Sequence, residues 1–556
     1  MVRCKWEITG RTKPASLDEV LAILLENRGA GPSFLSGSLR DLEPYLAMEG
    51  MAEGAALMVQ HLAAGNKLVL IGDYDCDGVT SVAQMAHFLR DLDYTNYAVV
   101  IPRREEGYGI PDRAISQHPD ASLFVAMDCG THDLRSVGEA RRQGADVLVI
   151  DHHEVSDHDV APATVLINPK QPSSRSPFRD FSAAGLTLLF LARLRQAAGN
   201  RFAVPPRLGG KYLTLAAIGT VADLMPLVDA NRILTRSGLG CMNAEPYPAI
   251  RELSQRAGLA GKVLTAGHIG FNLAPRINAA GRMADASLAL DLLMAEQGAD
   301  AGRLAAELNQ LNLRRQQQED HILNQVRARY SDENTRRRTL VMGDAGWSHG
   351  LVGIIASRVQ QELHYGPAII FAIDQATGLA RGSARSIPGL DIYTALHACQ
   401  DLLVKWGGHR MAAGLTLSQE NLEAFSQRFE AIVNAHPIEL FIPRIRVDME
   451  LDLNLVSVEL FRLLKQLEPF GVGNPLPTFA GRGIKVTVQR QFGKDNRHLQ
   501  LLLDGQTPGV FWRGSTCLPP DWQNGDLMDV IFQLAWDDYR NSVSLTVKDV
   551  ARINSL

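Results

Sequence analysis

The sequence predicts an α/β protein: a parallel, doubly wound sheet, a second α/β unit joined to it by a long helix, and a small β-barrel. Three observations predict this. Short apolar runs alternate with helical periodicity between residues 67 and 150, the pattern of parallel strands linked by crossover helices. From Ala299 to about Tyr330 there is no proline and, after Gly302, no glycine, so a single helix of about 30 residues and about 45 Å is expected at 1.5 Å per residue. From about Val447 the texture changes to alternating strands with polar turns, as in a small barrel.

Taken in order, residues 1–50 carry no usable motif. Lys67–Gly72 reads as a buried strand and Val79–Leu92 as a helix. Tyr97–Ile101, Ser122–Met127 and Asp146–Ile150 read as further strands, with a helix near Leu134–Gln143. Residues 182–330 read as mainly helical. A second α/β unit begins at Thr339–Met342, continues through Gly366–Ile373 and ends near residue 435. The barrel is drawn from VDMELDLNLV, GIKVTVQRQF, HLQLLLDG, MDVIFQLAW and SVSLTVKDV.

Composition excludes several function classes. With 46% apolar and 21% charged residues in a chain of 556, the protein is globular in character rather than disordered. Lys+Arg number 56 and Asp+Glu 61, a net charge of 56 − 61 = −5, which excludes a bulk-basic nucleic-acid binder but not a local basic groove. The longest apolar run, Ala183–Ala192, is broken by Arg193, short of the roughly 20 residues that span a bilayer. The N-terminus lacks an apolar signal core, and the six cysteines form no CxxC pair. Both features are expected of a cytoplasmic chain without a zinc knuckle.

Three of the four early strands run straight into carboxylates: Asp73-Tyr74-Asp75-Cys76-Asp77-Gly78, Asp128-Cys129-Gly130 and Asp151-His152-His153. The carboxyl ends of parallel strands form the ligand crevice of an open α/β sheet. About five carboxylates and two imidazoles on one edge would repel unless a divalent cation lay among them. Oxygen-rich ligands with one or two imidazoles suit Mn²⁺ or Mg²⁺, one or two ions, better than structural zinc. A single Asp at a strand end is often only a turn former or cap, but three such ends in one unit are not. DxDxDG also opens an EF-hand loop, yet the twelfth position, Gln84, is not the required Glu. No Walker A, GxGxxG or GxSxG pattern is present. Asp223, in GTVADLMPL, ends an apolar helical stretch that begins near Tyr212.

GDYDCDGVTS, MDCG, IDHH and GTVADLMPL, in that order, resemble the four motifs of the DHH phosphoesterase superfamily. IPRREEGYGI, LAPRINAAGRM, WSHGLVGIIASR, GSARSIPGLDI, GGHRMAAGL and EPFGVGNPLPTF narrow the resemblance to its bacterial single-stranded-DNA exonucleases. The resemblance runs from about residue 65 to the C-terminal region. Two places depart from the family pattern, Cys76 and Thr131-His132, both beside metal positions. The resemblance implies a DHH domain over 51–235 after a 1–50 extension, a helical region and connecting helix over 236–335, a DHHA1-type domain over 336–440, and an OB-fold-like nucleic-acid-binding domain over 441–556.

It further implies that Asp75, Asp77, Asp128, His152 and Asp223 ligate metal. Asp73 belongs to the first motif as ligand or support, Asp151 orients His152, and His153 touches the scissile phosphate. Arg104, Arg276 and Arg282, with Ser383, Arg385 and His409 from the second α/β unit, are candidate phosphate contacts. Phe511, Trp512, Arg513 and Tyr539 are candidate barrel contacts to a single strand. The implied activity is metal-dependent 5′→3′ hydrolysis of single-stranded DNA to 5′-mononucleotides, in repair and recombination. A DHH phosphatase or nanoRNase acting on short oligonucleotides, and an inactive DNA-binding scaffold, are the competing readings. The expected partners are a single strand with a 5′ end and a single-strand-binding protein or helicase, with a monomer as the default and no membrane. Removing residues after about 445 is expected to weaken DNA binding more than chemistry.

Overall fold

The computed structural model describes residues 4–10, 13–31, 33–155, 159–199, 201–202, 207–331, 334, 336–493, 496–519 and 521–553. The chain forms two compact units. One comprises Ala30–Arg314 with Leu467–Leu476; the other comprises Met1–Gly29, Arg315–Gln466 and Pro477–Leu556.

The first unit holds a five-stranded sheet of β1 (Leu68–Gly72), β2 (Tyr97–Val100), β3 (Leu123–Met127), β4 (Asp146–Ile150) and β5 (Val165–Ile167). Its order is β2-β1-β3-β4-β5, and every pairing is parallel. Successive side chains on a strand face opposite sides. Leu68 and Leu70 of β1 therefore enter one core with Met85 and Phe88, while Val69 and Ile71 enter another with Val100, Ile110 and Val137. Burial on both faces is why these strands read as continuous apolar runs. The order reverses at β1, so the crevice at the carboxyl ends of β1 and β3 is the topological switch point.

Helix α1 spans Cys76–Asp91. It begins three residues before the expected Val79, inside the acidic motif, because Asp75 caps it. Helices α2 (Ala183–Ala198) and α3 (Lys211–Ala222) follow. Strand β5, of three residues, was not anticipated: it is too short for a periodic signal. Helix α4, Gly298–Arg329, is one uninterrupted 32-residue helix, matching the length expected.

The second unit carries a mixed sheet of β6 (Leu340–Asp344), β7 (Ala368–Asp374), β8 (Leu379–Arg385), β9 (Lys405–Gly408) and β10 (Ala412–Ser418), in the order β9-β10-β8-β7-β6. Only β6 and β7 pair in parallel. Its barrel is β11 (Met449–Glu450), β12 (Phe479–Phe492), β13 (His498–Leu503), β14 (Thr507–Phe511), β15 (Leu527–Asp537) and β16 (Ser542–Arg552). The order β11-β12-β13-β14-β16-β15 closes through a β12–β15 pairing. The VDMELDLNLV segment contributes only two short pieces, and its Val447 ends a strand, Arg444–Val447, that pairs in parallel with Lys5–Ile8.

Candidate metal centre

Each acidic motif is placed by the end of its strand. β1 delivers Asp73, which is 6% exposed and has an Oδ1 without a hydrogen-bond partner. Asp75 is the N-cap of α1, its Oδ1 accepting from the Asp77 N–H at 2.9 Å and the Gly78 N–H at 3.2 Å. Asp77 lies in the first turn. Its two oxygens accept from the Ala183 and Ala184 N–H groups at 2.7 and 2.9 Å, at the amino end of α2. Helix-terminal amides favour an ionised carboxylate there. A Cβ on Gly78 would lie 2.4 Å from the Asp73 nitrogen, so only glycine lets α1 approach the end of β1 this closely.

β3 delivers Asp128 in the left-handed region, at φ 62, a conformation that Asp tolerates better than most residues. β4 delivers Asp151, His152 and His153. Asp223 is the C-cap residue of α3. The side chains converge. His152 Nε2 lies 3.2 Å from Asp128 Oδ1, 3.5 Å from Asp223 Oδ2 and 3.8 Å from Asp77 Oδ2. Three donor sets, Asp73/Asp75/Asp128, Asp77/His152/Asp223 and Asp128/His152/His153, each have ligand atoms within 4.8 Å of one another.

The electrostatics fit a cation. Burial first, and the Asp75 charge second, push Asp73 up to about 8 and Asp77 up to about 7. Asp128 and Asp223 are raised well above the usual range by burial and by the other carboxylates. Burial lowers His152 to about 3, which keeps its imidazole neutral, the form that ligates metal. Buried acids held close to neutrality, with one oxygen orphaned, are what a divalent ion converts into ligands. An oxygen-rich set with one neutral imidazole suits Mn²⁺ or Mg²⁺.

Asp151 does not act as expected. Its Oδ1 accepts from His153 Nδ1 at 2.7 Å and from the His152 backbone N–H at 2.7 Å, while Oδ2 accepts from the Thr131 N–H at 3.1 Å. It therefore orients the His153 ring, not that of His152. Burial works against both charges, but the hydrogen-bonded contact prevails: it holds Asp151 below the carboxylate range and raises His153 to about 9.

The family departures are accommodated locally. Cys76 is buried, and its N–H donates to Asn278 Oδ1 at 2.8 Å. The His132 ring bridges the Asp159 and Glu154 carbonyls at 2.8 and 2.7 Å.

Arg104 reaches the edge of the site but stacks on the Tyr74 ring at 4.3 Å and donates to the Gly281 carbonyl at 3.0 Å. Arg276 is held by Asn309 and by the Asn272 carbonyl at 3.0 and 2.7 Å. Arg282 lies in the last turn of the helix Ala274–Met283. In the other unit, Arg385 contacts Ser383 at 2.9 Å and Ser357 at 3.0 Å. His409 follows β9, its N–H donating to the Ala412 carbonyl at 2.8 Å, and Ala412 lies opposite Arg385 across the sheet. These three candidates thus share one end of one sheet. Among the barrel candidates, Phe511 is 2% exposed and belongs to the core, whereas Trp512 is 55% and Tyr539 97% exposed. Sequence reasoning missed Tyr108, whose hydroxyl donates to the Asp128 carbonyl at 3.0 Å and lies 2.9 Å from His153 Nδ1. The GYG within IPRREEGYGI was its only signal.

Residues 67–220 match the DHH family, N-terminal domain, and residues 337–435 match the DHHA1 domain. Fold and site together define a DHH-family protein. Residues 447–549 match the RecJ OB domain. The chain is 31% identical to the single-stranded-DNA-specific exonuclease RecJ of Bacillus subtilis over 573 residues, covering 99% of this chain and 71% of that one. It is 32% identical to the RecJ of Salmonella typhimurium, covering 96% of each. The crystal structure of RecJ in complex with Mn²⁺ from Thermus thermophilus superposes with a TM-score of 0.84 at 28% identity, covering 100% of this chain and 80% of that one. The chain belongs to the RecJ family of single-stranded-DNA-specific exonucleases.

Proposed function

We propose that this chain is a metal-dependent exonuclease that degrades single-stranded DNA from the 5′ end to 5′-mononucleotides, in repair and recombination. The observation that carries the reading is the convergence on His152 Nε2 of Asp77, Asp128 and Asp223, drawn from three motifs, within 3.8 Å. Asp75, Asp77, Asp128, His152 and Asp223 hold Mn²⁺ or Mg²⁺, with Asp73 beside them. The bound cation makes a water acidic and offsets charge on the phosphate oxygens.

The protein's own part is placement. The α2 amides fix Asp77, so that it presents its oxygens without reorganising. Asp151 holds His153 against the scissile phosphate, where an imidazolium stabilises developing negative charge. Ser383, Arg385 and His409 contact the DNA backbone, which carries no sequence information. Weak sequence preference and a steep loss of affinity with salt follow.

The test uses long single strands labelled at either end, with Mn²⁺ or Mg²⁺ and with chelator. Mononucleotides released first from the 5′ label, and only with the cation, are expected. Cleavage confined to very short oligonucleotides, or binding without cleavage, would overturn the reading. Asp128→Ala is expected to abolish cleavage while leaving DNA affinity within a few-fold.

A further inference from the structure

We propose that Tyr108 is a positioning residue for catalysis, its hydroxyl clamped on the Asp128 carbonyl and fixing the ring of His153. The inference rests on the reading above, in which His153 meets the scissile phosphate. Tyr108 is not a metal ligand, and no acidic motif contains it.

Three features make it a built contact. The hydroxyl donates to the Asp128 carbonyl at 3.0 Å, while its oxygen lies 2.9 Å from His153 Nδ1 and 3.3 Å from Nε2. The Tyr108 and His153 rings lie 5.1 Å apart between centroids. Asp151 Oδ1 takes the Nδ1 proton at 2.7 Å, and the Tyr108 oxygen, near both ring nitrogens, lies over the imidazole and restrains its face. A ring held by one carboxylate can still swing about that bond; a second polar contact removes the freedom.

The loop that carries Tyr108 is shaped for the task. Gly107 and Gly109, on either side, have φ of 93 and 106, conformations open to glycine at little cost. A Cβ on Gly109 would meet Asp133 Oδ1 at 2.3 Å. Arg113 pins the loop by donating to Glu106 at 2.8 Å and to the Ile101 carbonyl at 2.7 Å. The Asp128 end is equally fixed, since its N–H donates to the Ile150 carbonyl at 3.0 Å. Tyr108 therefore couples the strand end that bears Asp128 to the one that bears His153.

The experiment compares wild type, Tyr108→Phe, His153→Ala and the double variant on a long single strand with Mn²⁺. Tyr108→Phe keeps the ring and removes only the hydroxyl. The expected result is a kcat lower by about three- to tenfold, the effect of one hydrogen bond to a neutral carbonyl, with KM within twofold. In the His153→Ala background the same change is expected to cost nothing further, because the group it positions is gone. An unchanged kcat, an equal loss in both backgrounds, or a raised KM alone would overturn the proposal. The histidine side-chain ¹H–¹⁵N spectrum gives a readout independent of turnover: the His153 cross-peaks move in Tyr108→Phe, and unmoved peaks would overturn it. A wild-type chain without nuclease activity would remove the underlying function, whereas an active wild type with an unaffected Tyr108→Phe removes this inference alone.

Discussion

Asp73 and Asp77 tie stability to pH and to cation supply. Both are raised from 3.8, to about 8 and about 7, by burial and by Asp75. The folded chain therefore keeps protons that the unfolded chain has released, and stability falls as pH rises from about 4 to about 8. Above that window both states are ionised and the penalty stays constant. Mn²⁺ takes the place of those protons, so it should raise the melting temperature more at pH 8 than at pH 5.5. His153, raised to about 9, adds a loss of stability of the same sign between about 6.5 and 9, which a comparison with and without Mn²⁺ at each pH removes. An equal Mn²⁺ shift at both pH values would sink the argument. At this scale the carboxylates of the first three motifs and His152 were legible because each motif follows an apolar strand, whereas Asp223 ends a helix and was legible only through the family resemblance. The Asp151–His153 pairing was not: adjacent histidines in DHH give no sign of which ring the aspartate meets. Tyr108 carried no more than the GYG signal for a related reason, since its partners lie 20 and 45 positions away.

The elements supply the precision that residue spacing cannot. α3 approaches α1 and α2 at Gly219, where a Cβ would stand 2.5 Å from both Ala184 Cβ and Asp77 Oδ1. Gly219→Ala should destabilise the protein by about 1–3 kcal/mol through overpacking and weaken Mn²⁺ binding, because Asp77 must give way. Gly302→Ala serves as the control. Its Cβ meets nothing nearer than Glu252 Oε2 at 3.5 Å, and inside α4 alanine should stabilise by about 0.5–1 kcal/mol. Denaturant melts and Mn²⁺ titrations separate the two, and a Gly219→Ala protein that binds Mn²⁺ normally would refute the packing argument. The strands β1, β3 and β4 were legible because both faces are buried. β14 was not, because Pro508 and Gly509 interrupt its pattern, although it pairs on both sides. The start of α1 was displaced because a capping Asp reads like a turn.

At the scale of the whole molecule, chain order and spatial order part company. The N-terminal strand pairs with Arg444–Val447, Trp6 Nε1 donates to Asp549 at 2.8 Å, and Arg28 pairs with the buried Asp448 at 3.2 Å. The segment 1–29, unreadable from its own sequence, is thus part of the unit that holds the barrel. Conversely, Leu467–Leu476 belongs to the unit that holds the metal centre. Val472 accepts from the Leu227 N–H at 2.7 Å, and Leu467 accepts from Arg232 at 2.7 Å. Leu227 stands four residues after Asp223. A truncation after about residue 445 therefore does not subtract a barrel alone: it strips packing from beneath the Asp223 helix end and should lower both the melting temperature and Mn²⁺ affinity. Whether the barrel binds single-stranded DNA is tested by a surface change instead. Trp512→Ala removes an exposed ring that packs near Phe492 and His498, at 5.7 and 5.0 Å between centroids. Base stacking contributes about 1–3 kcal/mol per base, so affinity for a long single strand should fall about tenfold with the melting temperature unchanged. Turnover of a very short oligonucleotide should be unaffected. Equal affinity in Trp512→Ala and wild type, measured by titration at fixed salt, would remove Trp512 from the DNA track.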